Sequence, residues 1–169
     1  EPNRARLQSI LGVVDSRLPA ALERYGHDTQ PALVAETARY RVWQVRWPVL
    51  DGVWGSGLYV EPTAPPVAQA VLIPDADQTP EHYLGLAPGL APDAQAARHL
   101  AENGFELLLP VTISRAKLTT DDSPLRKTDQ THREWIYRQA FHLGRHVIGY
   151  DIQTALAAAD WLRTRHGGT

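Results

Sequence analysis

Apolar residues recur along this chain with two different periods, and the changes of period divide it. Between residues 4 and 22, Leu7, Ile10, Leu11, Val14, Leu18 and Leu22 fall three to four apart, which predicts an amphipathic helix that Pro19 kinks or breaks. Such a segment serves as a lid or brace, not as a core strand. From Ala38 the period becomes two: Tyr40, Val42, Gln44 and Arg46 alternate with Arg41, Trp43, Val45 and Trp47 until Pro48 interrupts the strand. Asp51-Gly52 is a turn signal and the stretch from Trp54 to Val60 resumes the β pattern, so residues 39–61 are expected to form a hairpin. The proline-rich residues 61–66 then read as a connecting loop.

Shorter apolar runs follow. Residues 68–73 stop at Pro74 and predict a strand covered on both faces. Residues 75–92, rich in Pro, Gly and Asp, read as a long loop, after which Ala94, Ala97, Leu100 and Ala101 share one face of a helix over 93–103 that Gly104 ends. Residues 105–111 make a second buried strand, so strand, helix and strand compose a parallel βαβ unit with a right-handed crossover. Past a charged loop over 115–130 that contains Pro124, Thr131 is placed to cap a helix from His132 to about Val147, with Glu134 completing a capping box. A last helix over 151–165 carries Ile152, Ala155, Leu156, Ala159 and Leu162 on one stripe and ends at Gly167-Gly168. The expected division is a helical extension over 1–37 and an α/β unit over 38–169.

Composition removes whole classes of function. A formal charge of -2 gives no basic field for nucleic acid, and no apolar run reaches the roughly 20 residues that span a bilayer. Without cysteine, neither a disulfide framework nor a thiolate zinc site can be built. The chain starts at Glu1 and has no methionine, which fits a removed leader and a secreted or periplasmic protein.

Residues 70–81 (Ala-Val-Leu-Ile-Pro-Asp-Ala-Asp-Gln-Thr-Pro-Glu), 100–110 (Leu-Ala-Glu-Asn-Gly-Phe-Glu-Leu-Leu-Leu-Pro) and 151–162 (Asp-Ile-Gln-Thr-Ala-Leu-Ala-Ala-Ala-Asp-Trp-Leu), taken in that order after a hairpin, resemble the opening of an α/β-hydrolase. The last stretch looks like the helix before the nucleophile strand in the dienelactone hydrolase and acetyl xylan esterase branch. This resemblance covers residues 38–166. It implies the N-terminal part of a three-layer α/β sandwich, belonging to a secreted serine ester hydrolase of carbohydrate or small carboxylic esters, with no cofactor and no metal.

The resemblance places the oxyanion loop after residues 68–73, with the backbone N–H of Asp77 or Gln78 as donor. Where the family has His-Gly, this chain has Asp75-Ala76. No Gly-x-Ser-x-Gly elbow occurs, so the resemblance puts nucleophile, acid and histidine beyond Thr169. Gly55-Ser56-Gly57 lies within the hairpin, where such glycines mark a bulge or a close backbone approach.

Other residues are candidates by position. Ser114 and Arg115 follow the second buried strand at the end where open α/β sheets bind ligands. Arg133, Trp135, Tyr137 and Arg138 crowd one helix start, either lining a substrate cleft or bracing the preceding loop. His142 and His146 lie four apart, a spacing that can share a metal, although Leu143 stands where a metalloprotease helix carries glutamate. A competing reading is a non-catalytic binding module with Trp135 and Tyr137 in its cleft. A flavodoxin-like or Rossmann domain lacks its phosphate-binding Gly-x-Gly-x-x-Gly here. The α/β-hydrolase order also leaves the strand at 68–73 with an open edge, to be covered by the C-terminal remainder of the same protein or by another chain.

Overall fold

Alternation along the central hairpin sends successive side chains to opposite sides of a sheet, and helices cover both sides. The computed structural model describes residues 2–117 and 130–165. Strands β3 (Tyr40–Leu50) and β4 (Val53–Pro62) pair antiparallel from Tyr40 opposite Pro62 to Leu50 opposite Val53, across a turn in which Gly52 has φ 71°. β6 (Phe105–Pro110) lies antiparallel to β4 and parallel to β5 (Ala68–Val71), with Val71 opposite Leu108. β1 (Glu23–Arg24) and β2 (Leu33–Glu36) both pair antiparallel with β3, giving a strand path β1-β3-β4-β6-β5 with β2 also on β3.

The two faces are distinct cores. Tyr40, Val42, Leu58, Val60, Leu107 and Leu109 pack with Leu84 of α2 (Pro80–Leu84) and with Ala97 and Ala101 of α3 (Ala96–Glu102). Val45, Trp47, Val49, Tyr59 and Leu108 pack with Ala157, Ala158 and Leu162 of α5 (Val147–Arg165). Burying each of the larger side chains contributes about 1.5–3 kcal/mol, and the small alanines let the helices approach closely. The hairpin, the βαβ unit and the layered arrangement are those expected from the sequence.

Several boundaries differ. β3 does not stop at Pro48 but continues to Leu50 with a register shift between the two; β1 and β2 reach no further than Trp43 to Arg46, so the missing proline N–H faces no partner strand. The helix expected over 4–22 is confined to α1 (Pro2–Ile10), which buries no side chain. Its three-to-four spacing has no apolar surface to meet, and the chain leaves the helix at Gly12, φ 68°. Residues after it are instead held by Arg17–Asp160 on α5 at 2.7 Å and by Asp15–Arg145 in the connection before α5 at 2.8 Å. Thus residues 1–37 are not simply a helical extension, since β1 and β2 join the main sheet. β5 lies at the edge of the sheet, and its faces are not both covered as expected, since Ala68 and Gln69 are exposed.

α4 spans His132–His142, shorter than expected, and α5 starts four residues early at Val147. Gly144, φ 67°, turns the chain between them. Residues 118–129, with Pro124, and the Gly167-Gly168 stop lie outside the described residues.

Candidate functional site

The parallel strands β5 and β6 end at one rim, and the segments that follow them meet there. Residues 76–79 from the β5 side face Val111, Thr112, Ser114 and Arg115 from the β6 side across a cleft of about 290 Å³. Arg115 spans it, donating from Nη1 to Asp77 Oδ2 at 3.0 Å and Asp75 Oδ1 at 3.5 Å. The structure therefore brings Asp77, Gln78, Ser114 and Arg115 together. The two expected backbone donors are not equivalent: Gln78 N–H donates to the Asp75 carbonyl at 3.0 Å and closes a turn, whereas no backbone partner takes up the Asp77 N–H among the described residues. Gln78 is corrected from a free donor to a turn-forming one.

A larger cleft of about 560 Å³ adjoins this one through Val111, Thr112 and Ser114. Trp54 and Ser56 of β4 line one side; Trp135, Ile136 and Gln139 of α4 line another; Tyr150, Asp151 and Thr154 of α5 close it. α4 is oriented by its cap, the Thr131 hydroxyl accepting from Glu134 N–H at 3.1 Å. Only half of the expected capping box forms, because the Glu134 carboxylate pairs with Arg138 at 2.7 Å.

Arg133, next on that helix, braces the β6 loop. Its guanidinium pairs with Asp151 at 2.8 Å and donates to the Ile113 carbonyl at 3.0 Å, while Ile113 N–H donates to Asp151 Oδ1 at 3.3 Å. Both polar backbone groups of Ile113 are thus held by one half-buried ion pair. The charges neutralise each other, so neither is offered to a ligand as a lone ion.

Trp135 lines the cleft, but Tyr137 lines neither cleft: two residues on, it points to the far side of the helix and packs on Phe141 and His146. Trp135 and Tyr137 therefore do not share a wall of either cleft. Trp54 is the other tryptophan at this cleft, a residue whose only sequence signal is a bulky ring two positions after the Asp-Gly turn. Ser56 stays within the regular β4 ladder, its carbonyl accepting from Val111 N–H at 2.8 Å. The flanking glycines permit close approach, since a Cβ on Gly57 would stand 2.0 Å from the Leu109 carbonyl oxygen. His142 ends α4 while His146 precedes α5 and accepts from Ile148 N–H, so the two do not share a helix face. Among the described residues, no three His, Asp or Glu side chains gather to hold a metal.

A buried polar cluster lies at the opposite end of the sheet, where β6 begins. Glu106 is 2% exposed and accepts from the Tyr59 hydroxyl, from Gln69 Nε2 at 2.7 Å and from Arg165 Nε at 2.9 Å. Burial, foremost, and donation to the Glu106 carboxylate push the Tyr59 phenol well above its ordinary range. Nothing local in the sequence marks this group, whose members are spread from residue 59 to residue 165.

The layered sheet, its strand path and the loops at its rim define part of an α/β-hydrolase-like fold. The same architecture is found in the crystal structure described as a "putative acetyl xylan esterase" from Bacteroides fragilis NCTC 9343, with TM-score 0.63 and 17% identity over 95% of this chain. The chain spans 42% of that structure's length. No protein-family model matches the chain, and no curated protein matches it. At this identity the likeness shows the fold alone and no particular branch.

Proposed function

We propose that this chain is the N-terminal portion of a serine ester hydrolase acting on a carbohydrate or small carboxylic ester. In this reading it supplies the scaffold, the substrate cleft and one oxyanion donor. The observation that carries the reading is the meeting of the 75–78 loop with a substrate-sized cleft at the rim where β5 and β6 end. The Asp77 N–H is the donor, and Arg115 holds its loop by pairing with Asp75 and Asp77. A fixed N–H aimed at developing negative charge lowers the barrier to acyl transfer without reorganisation at the moment of reaction.

The nucleophile belongs, in the same reading, to a Gly-x-Ser-x-Gly elbow within about 20 residues of Thr169, a span set by short αβ connections. The remainder of the polypeptide, or a partner chain, covers the exposed edge of β5. Support comes from the fold likeness and from the rim geometry together.

The test uses the protein carrying this chain at its natural length. Turnover of p-nitrophenyl acetate is expected, abolished by a fluorophosphonate that labels one serine beyond Thr169 in peptide mass spectra. Absence of both turnover and labelling overturns the reading, and ligand binding without turnover points to a non-catalytic module.

A further inference from the structure

We infer that the larger cleft is an acyl pocket for an apolar acyl group of hexanoyl size, lying along α4 with the ester carbonyl at the Ser114 end. As an assignment of substrate class this rests on the proposed hydrolase reading, but the binding of an apolar chain does not. One stripe of α4 and its C-cap supplies the wall: His132, Ile136, Ala140 and Leu143 follow at steps of three or four residues and so share a helix face. At 1.5 Å per residue that face is about 16 Å long. Ile113, Val53 and Tyr150 line the cleft as well, the last two packed against the core under α5.

Polarity is graded along that stripe, and the gradient orients the ligand. Where α4 begins, His132 N–H donates to the Ala116 carbonyl and Arg133 N–H to that of Ser114, so the one imidazole on the wall starts beside Ser114. Asp151, the one carboxylate on the wall, is held at the same end by Arg133 and by Ile113 N–H. Thr112 and Ser114 also line the smaller cleft that holds Asp77, which puts the carbonyl there and the alcohol side toward Arg115. Further along α4 the stripe is Ile136, Ala140 and Leu143, with Gln139 exposed to solvent beside it. An acetyl group would leave most of the 560 Å³ to water against apolar side chains, whereas each added methylene that enters gains its own burial. No residue of β5 lines this cleft, so a chain that covers the β5 edge does not thereby fill it.

The experiment has two arms, both on the natural-length protein. In the first, p-nitrophenyl acetate, butyrate and hexanoate are compared, and kcat/KM is expected to rise about fourfold for each methylene that enters the cleft. Ala140→Phe, which places a ring inside the cleft, should lower the ratio of hexanoate to acetate about tenfold. Leu143→Asp should lower the same ratio about fourfold, at a side chain 72% exposed on which folding does not depend. In the second arm the non-hydrolysable hexanamide is titrated into protein with labelled isoleucine methyl groups. The Ile113 and Ile136 signals, assigned by changing each to Val, should move, while that of Ile73, outside the cleft, should not. An unmoved Ile136 signal, or a ratio unchanged in both variants, overturns the inference. Ester turnover that is flat or falls from acetate to hexanoate sinks this inference alone, whereas methyl shifts without turnover of any ester sink only the hydrolase reading.

Discussion

Gly57 shows how tightly one position is constrained. Because its hypothetical Cβ would meet the Leu109 carbonyl, Gly57→Ala must push β4 from β6, and a loss of about 3 kcal/mol in urea unfolding is expected. Strand signals on both sides of Gly55-Ser56-Gly57 were enough to read this as backbone approach. Tyr59 carries a prediction about pH. Its phenol is raised in the fold, so the unfolded chain loses that proton first as pH climbs past about 10. Stability from this group is complete below that value and declines above it. Tyr59→Phe should therefore melt lower at pH 7, by about 1–2 kcal/mol for a hydrogen bond lost from a buried carboxylate, yet show a shallower fall of Tm between pH 9 and 11. No sequence rule exposes this cluster: a glutamate in an apolar strand reads as an anomaly until its distant partners are in place.

Among the elements, α4 depends on contacts that periodicity does not encode. The sequence places its cap at Thr131, and the structure agrees, but its tilt over the rim comes from Arg133 and Asp151 gripping Ile113. Asp151→Ala leaves a half-buried guanidinium without its carboxylate, and thermal unfolding should show a loss of about 2 kcal/mol. The double change Arg133→Met with Asp151→Leu should recover much of that loss, because it removes both charges together. Periodic segments with something to cover, such as β3, β4 and α3, were legible. α1 was overextended for the converse reason: apolar spacing without a facing surface does not propagate a helix past Gly12. β1 and β2 were missed because strands of two and four residues are too short to display a period.

For the whole molecule, the hairpin and the parallel pairing of residues 68–71 with 105–108 were readable in advance, whereas the antiparallel junction of β4 with β6 that joins them was not. The rim was legible only in outline: Asp77, Gln78, Ser114 and Arg115 meet beside the strand ends, while the place of Trp54 at the larger cleft depends on the folded hairpin. An edge such as that of β5 invites self-association. Expressed by itself, this chain should scatter light increasingly with concentration, and Ala68→Lys, a charge placed on an exposed edge position, should suppress that scatter without lowering Tm by more than a degree or two.

The tie between Arg165 and Glu106 fixes the direction of travel. α5 begins beside the rim, at Tyr150 and Asp151, and its last turn is fastened at the foot of the sheet, where Gln69 also reaches the Leu162 carbonyl at 3.1 Å. A salt link at the tail of α5 thus governs how the head of the same helix meets the cleft wall at the opposite rim.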